Sequence, residues 1–509
     1  MTAPRRYITT TIPYVNARPH LGFALELVQA DTLARHHRQR GEQVRLLSGT
    51  DDNSLKNVLA AEAVGVDVQS FVDRNADAFA ALRGPLALSF DDFIRTSSDP
   101  RHRVGVERLW RQCAASGDLY RKEYEGLYCV GCEQFYTPDE LVEGRCGEHG
   151  TEPQLVAEEN WFFRLSRYAD RLHQLISSGD LRIEPAARRN EVLALIERGL
   201  HDFSVSRSHS RARGWGIPVP DDPSQVVYVW WDALGNYLTS LGYGTDDSTY
   251  NQWWETSERR VHLVGKGVVR FHAVYWPAML LSAGLPLPTD ILVHDYLTVD
   301  GRKISKSAGT TVDPAALAAT YGTDALRWWL LRDVPRVGDA DFTPDRLTTR
   351  ADADFAGGLG NLVHRIVTMV HRFRGGIVPA SAPVNPGELA LVDVCREAPG
   401  PVDAALADFD FRRAIHAVWE IVEEANRCID ATRPWELARE ERRGNAEAAK
   451  QLDTVLGTLV TACRVLADEL RPFIPDAATR ITGQLTTVER LLPAAQPLFP
   501  RLHEDTLPA

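Results

Sequence analysis

Cysteine is scarce, with 7 in 509 residues, too few for a disulfide scaffold in a chain of this length. Long apolar runs are missing too: no segment approaches the roughly twenty residues that a membrane span requires. The first residues, MTAPRRYITTTIPYV, hold no apolar stretch of signal-peptide length. A cytoplasmic location is therefore expected. Positive charge is not in excess, since 57 Lys and Arg stand against 69 Asp and Glu for a net charge of −12. That balance excludes a general nucleic-acid-coating surface and leaves only an RNA recognised by a local groove. Internal repeats and low-complexity tracts are absent as well. What remains is an ordinary globular composition, 44% hydrophobic and 25% charged, at a length that accommodates roughly two to four domains.

Hydrophobic periodicity divides the chain. Residues 6–13 read as a strand, Leu21 to Arg40 as an amphipathic helix stopped by Gly41, and Val44 to Ser48 as a second strand running into GTDDNS. Strand, loop, helix and strand make a βαβ unit. A helical stretch follows, and then a polar, cysteine-bearing insert from about Tyr120 to Tyr168. Alternation resumes near Val226 to Tyr237 and in RRVHLVGKGVVRFHAVYWPAMLLSAG, with an apolar strand in DILVHDYLTV. From about Thr348 onward the pattern is almost purely helical, interrupted by the Pro/Gly stretch GGIVPASAPVNPGE. The predicted fold is α/β, a Rossmann-type parallel sheet split by a zinc-bearing insert and followed by an all-α domain.

Three short stretches carry chemistry. Cys129-Val-Gly-Cys132 is followed after thirteen residues by Cys146-Gly-Glu-His149. Two such ligand pairs on turns close a tetrahedral thiolate and imidazole shell, the usual structural zinc arrangement with no open coordination position. Lys303-Ile304-Ser305-Lys306-Ser307 places two lysines and two hydroxyls on one loop, suited to neutralising a triphosphate while charge shifts at its α-phosphorus. Read alone, a Lys/Ser loop is more often solvated surface. The third is NARPHLGFALE, Asn16 to Glu26, a small-residue loop between the first strand and the first helix.

Together, PHLGF and KISKS resemble the HIGH and KMSKS signatures of class I aminoacyl-tRNA synthetases. The zinc insert CVGCEQFYTPDEL…CGEHG…EENWFFRLSRY, the run YVWWDAL, the run HLVGKGVVRFHAVYWPAMLLSAGLPLP and the end PLFPRL are similar, in the same order, to the methionyl-tRNA synthetase family. The resemblance implies a Rossmann catalytic domain in two halves (1–118 and 171–297), a connective insert with the zinc knuckle (119–170), a stem-contact segment with the KISKS loop (298–347) and an anticodon-binding-like helical domain (348–509). It implies an amino acid activated by ATP to an aminoacyl adenylate and pyrophosphate, with Mg²⁺ on the pyrophosphate, and transfer of the acyl group to tRNA.

Carried over by position, Asp51 would hold the substrate ammonium. Ile12, Tyr14, Trp230, Ala233, Leu234, Tyr237, Val268 and His272 would surround the side chain. ATP would be met by His20, Gly22, Phe23, Lys266, Gly267, Lys303 and Lys306, with Arg207 close to the phosphates; His20, Arg207 and the two lysines of KISKS would be the catalytic groups. Asn361 and Arg365 match positions that contact RNA. A carboxylate for an ammonium, aromatics for a soft apolar side chain and cations for phosphate are the chemistry that such a reaction needs.

Several positions depart from the family pattern. Phe23 stands where the signature has its second histidine, and a phenyl ring cannot donate a hydrogen bond; the loss of one such donor typically costs ~3 kcal/mol of transition-state stabilisation. Asn53 and Ser54 replace a His-Gly pair, Gly267 replaces an aspartate, and Asp295 replaces a glycine after His294. Gly357 occupies an asparagine position, and no tryptophan follows Trp435 to stack an anticodon base, a contact worth roughly 1–3 kcal/mol. These changes favour a specialised paralogue that passes the acyl group to a small amine or hydroxylamine, as in hydrazine-forming pathways where such modules work with a cupin; here a separate cupin-type enzyme would be the partner. The alternative is a genuine methionine–tRNA ligase, and a second alternative is a catalytically weak RNA-binding or regulatory homologue.

Overall fold

The computed structural model describes residues 3–148, 150–304, 312–380, 382–383, 385–489 and 491–502. It forms two bodies: residues 3–83 and 88–296 make the first, and residues 84–87, 297–304 and 312–502 the second.

The first body is built on strands β1 (Arg5–Thr9), β2 (Gln43–Thr50) and β3 (Asp92–Arg95), with helix α1 (Leu21–Gln39) crossing from β1 to β2 and helices α2 (Leu55–Ala63) and α3 (Val68–Ala80) crossing from β2 to β3. β1 is shorter than the predicted 6–13. Both the amide and the hydroxyl of Thr11 bond the Glu26 carboxylate at 2.6 Å, and Pro13 has no N–H to give a ladder. An isolated bridge between Tyr14 and Asp51 is what continues the pairing. α1 begins where predicted because the His20 imidazole caps it, its Nδ1 accepting from the Gly22 amide at 3.1 Å.

Helix α4 (Pro100–Ala115) leads into the insert. There β4 (Leu119–Cys129), β5 (Gln134–Tyr136) and β6 (Gln154–Phe163) form an antiparallel sheet that ends on β8 (Phe203–Ser204). The chain returns through α5 (Ala169–Ser178), β7 (Arg182–Glu184) and α6 (Ala186–Glu197). It then forms a small antiparallel sheet of β9 (Ser206–Ser208), β10 (Pro218–Val219) and β11 (Asp222–Val227), helix α7 (Val229–Thr239), and finally β12 (Arg259–Gly265) and β13 (Asp290–His294). The main sheet runs β3-β2-β1-β12-β13-β7, and every neighbouring pair is parallel. Its central strands β1, β2, β12 and β13 are largely buried, as a sheet with helices on its faces requires. The chain steps outward from β1 in one direction and fills the other side later, so the crevice beyond the carboxyl ends of β1 and β12 is a topological switch point, where ligands bind such sheets.

The second body is mainly helical. Helices opening at Pro314, Pro344, Pro386, Pro434 and Pro475 carry proline in the first turn, where the missing N–H costs nothing. Helices Phe411–Thr432 and Ala446–Leu470 form its spine. Fully buried Arg327 donates to the carbonyls of Leu86, Pro472 and Phe473 and so ties residues 84–87 into this body. The helical region starts earlier than Thr348, with Pro314–Tyr321, after a three-stranded sheet made by Leu297–Val299, Arg302–Lys303 and Ala340–Asp341. Among the described residues no helix is long and apolar enough to cross a membrane.

Candidate active site

Trp230 and Phe271, with Tyr14, form an aromatic cluster among the residues expected to surround a substrate side chain. Trp230, at the start of α7, stacks on Phe271 with centroids 3.7 Å apart and planes 5° from parallel, and Tyr14 meets Trp230 edge-on at 6.4 Å. Behind them the Nδ1 of His272 lies 2.9 Å from the Val268 carbonyl and its Nε2 2.7 Å from the Tyr237 hydroxyl. The carbonyl can only accept, so Nδ1 carries the proton and Nε2 receives one from Tyr237. Burial pushes the His272 pKa down to about 4, and burial also holds the Tyr237 phenol well above its usual value. Both are neutral at physiological pH. Ala233 and Leu234 lie buried on α7, and Ile12 packs at the edge of the same core. The lining is thus aromatic, aliphatic and uncharged, a surface suited to a soft thioether.

Asp51 stands at the other end. It is 2% exposed, and burial together with the nearby carboxylates of Asp232, Glu133 and Asp52 raises its pKa well above the usual range. Each of those neighbours has its own compensation: Asp52 faces Arg95 at 3.4 Å, Asp232 is bonded by His102 and by Asn53 Nδ2 at 2.7 Å, and Glu133 faces Arg207 at 2.8 Å. Among the described residues Asp51 has no cationic partner. A buried carboxylate in that condition is a binding group for a cation such as an α-ammonium.

Among the residues expected to meet ATP, His20 accepts from the Gly22 amide, while Phe23 behaves differently from a signature histidine. Its ring is 8% exposed and packs edge-on against Phe79 of α3 at 5.3 Å. Phe23 therefore joins α1 to α3. Lys266 lies 4.6 Å over the Tyr296 ring and 4.0 Å from Asp295. Asp295 in turn is 4% exposed and paired with Arg188 of α6, so its charge is answered within the protein. A side chain at residue 267 would meet the Tyr296 hydroxyl, at the far end of that side chain.

Arg207, expected close to the phosphates, is 5% exposed and committed to the insert: besides Glu133 it lies 5.6 Å from the Tyr128 ring and 5.5 Å from the Tyr228 ring. Lys303 ends the Arg302–Lys303 strand of the second body, and Lys306 lies in 305–311, outside the described residues. In the second body, exposed Asn361 opens the helix Asn361–Arg374, and Arg365 on its next turn donates to Asn426 Oδ1 at 2.9 Å.

The Sγ atoms of Cys129, Cys132 and Cys146 lie within 4.8 Å of one another, Cys132 and Cys146 at 3.4 Å. Three convergent thiols on two turns fit a tetrahedral thiolate-bound ion; His149, the fourth expected ligand, lies outside the described residues. Sequence reasoning missed three groups: Phe271 under Trp230, Asp232 with His102, and Glu26, which bonds Thr11 and lies 2.9 Å from His294 Nε2. The only signal for them was that each sits inside a stretch already singled out, apart from His102.

The family model described as "tRNA synthetases class I (M)" matches residues 6–155 and 132–367. The methionine–tRNA ligase of Caldanaerobacter subterraneus subsp. tengcongensis is 39% identical over 502 residues, 98% of this chain and 77% of that protein. That of Bacillus subtilis is 37% identical over 530 residues, 98% of this chain and 78% of that protein. The chain belongs to the methionyl-tRNA synthetase family. It is an ATP-dependent ligase of the type that forms an aminoacyl adenylate. Mycobacterium tuberculosis methionyl-tRNA synthetase bound by methionyl-adenylate superposes with a TM-score of 0.92 at 36% identity, covering 97% of this chain and 100% of that one. The apo form of the same enzyme gives 0.86 at 34% identity, covering 98% of each chain.

Proposed function

We propose that this methionyl-tRNA synthetase family member activates methionine with ATP and passes the methionyl group to the 3′ end of tRNA. The observation that carries the amino acid is the pairing of Asp295 with Arg188. An uncommitted second carboxylate in the crevice would call for a second ammonium or a polar side chain. With Asp295 neutralised, Asp51 alone answers the α-ammonium, and the side chain meets the neutral wall of Trp230, Tyr237, His272, Ala233, Leu234, Val268, Ile12 and Tyr14.

In the reaction the amino-acid carboxylate attacks the α-phosphorus in line. His20 and the lysines Lys266, Lys303 and Lys306 stabilise the charge that develops, a task of electrostatic positioning. Mg²⁺ accompanying ATP would supply neutralisation of the pyrophosphate charge. Zn²⁺ held by Cys129, Cys132, Cys146 and His149 would close the insert's two turns as a structural ion.

The near full-length relatives named methionine–tRNA ligase favour tRNA as acceptor over the small amine or hydroxylamine expected from the sequence, and they lend no support to a cupin-type partner. Asn361 and Arg365 are the residues assigned to RNA contact. The test is ATP–pyrophosphate exchange with a panel of amino acids: methionine supports exchange, and exchange with a diamino acid instead would overturn the assignment. No exchange with any amino acid would leave a regulatory, RNA-binding homologue.

A further inference from the structure

We propose that Glu133 and Ser54 form a latch between the metal knuckle and the amino-acid pocket, so that the bound ion and the bound amino acid each hold the other in place. The inference rests on the methionine reading and on the three-thiol site above.

Glu133 follows Cys132 directly. It is fully buried with φ of 55°, a left-handed conformation that a non-glycine residue keeps only where contacts over-determine it. Its carboxylate accepts from Ser54 Oγ at 2.5 Å, from the Lys56 amide at 3.3 Å and from the Tyr128 hydroxyl at 3.1 Å, beside Arg207. Ser54 is the N-cap of α2, its hydroxyl accepting from the Lys56 amide at 3.0 Å while donating to Glu133. The insert's carboxylate therefore sits on the positive end of the helix that begins just after Asp51.

The same two knuckle residues also hold the opposite wall. The Cys132 carbonyl accepts from Trp230 Nε1 at 3.4 Å, and the Glu133 carbonyl accepts from the Tyr228 hydroxyl. The start of α2, which follows Asp51 by a few residues, and Trp230 thus hang from consecutive residues, one of which is a metal-ligand candidate. A glycine at residue 54, as in the family pattern, could not make the Ser54 hydroxyl contact. Where two bound groups each bias one shared element, the linkage between them is reciprocal.

The test is the rate at which the zinc-loaded full chain releases Zn²⁺ to a chromogenic chelator, with and without methionine whose binding is followed by calorimetry. Saturating methionine is expected to slow release by about fivefold, at the low end for coupled sites. Ser54→Ala should speed release several-fold without methionine and abolish the methionine effect, and Ser54→Thr should restore both. Glu133→Gln should act in the same direction; should loss of the Arg207 pair unfold it, Ser54→Ala carries the test because that pair is untouched. Unchanged release in the presence of bound methionine, or a full methionine effect in Ser54→Ala, would overturn the latch. Absence of methionine binding would overturn the methionine reading instead, and the latch would then stand or fall on the release rate of Ser54→Ala alone.

Discussion

The Tyr296 hydroxyl occupies the place that a β-carbon on Gly267 would need. These residues follow neighbouring parallel strands, β12 and β13, which are in register at Gly265 and His294. Positions 267 and 295, both expected to depart from the family pattern, thus belong to one local arrangement, in which Lys266 lies against Tyr296 and Asp295. Restoring the family residue with Gly267→Asp should displace Tyr296 and raise KM for ATP on the order of tenfold, the scale of overpacking a fitted site. Adding Tyr296→Phe should recover part of the loss. A single variant with unchanged KM for ATP would show that Tyr296 moves aside freely.

Phe23 is a packing residue. Phe23→His should lower unfolding free energy in urea by roughly 1–3 kcal/mol, because it buries a polar ring and breaks an aromatic pair. Pyrophosphate exchange should not become faster. Faster exchange at unchanged stability would mean that position 23 faces the phosphates after all.

Asp51 is a buried carboxylate held at a cost. Its pKa in the folded chain lies above the usual value, through burial and then Asp232, so its ionised form opposes folding at neutral pH. Asp51→Asn should raise the melting temperature while raising KM for methionine by at least about tenfold, the scale of one charge-assisted hydrogen bond. KM for ATP should change little. A fall in melting temperature would count against this electrostatic account.

The Glu26–His294 pair predicts a pH dependence. Burial opposes the imidazolium, but the bond to Glu26 outweighs it and raises the His294 pKa above 6.5. A histidine with a raised folded pKa stabilises fully below its unfolded pKa and loses that contribution as pH rises through the folded value. Urea unfolding should show this decline above about pH 6.5, and Glu26→Gln should flatten it. An identical decline in the variant would place its origin elsewhere.

The parallel sheet, the insert and the helical region were legible because apolar periodicity and the Cys-x-x-Cys spacing are local signals. The end of β1 was not, since Thr11 is diverted by Glu26 from the next helix. The meaning of Phe23 was hidden for a similar reason: its partner Phe79 arrives on α3, and the signature alone shows only a missing donor. Arg207 was assigned to phosphate by position, whereas its partner Glu133 is set by how the insert folds back on β9. The charge at Asp295 could not be weighed before Arg188 was seen beside it.

The acceptor is the central claim, and charging of a methionine tRNA transcript with radiolabelled methionine tests it most directly. Acid-precipitable methionyl-tRNA that forms with ATP, and forms more slowly at low methionine in Asp51→Asn, is the predicted result. Methionine-dependent pyrophosphate exchange without any charged tRNA would contradict it and return the small amine acceptor to first place.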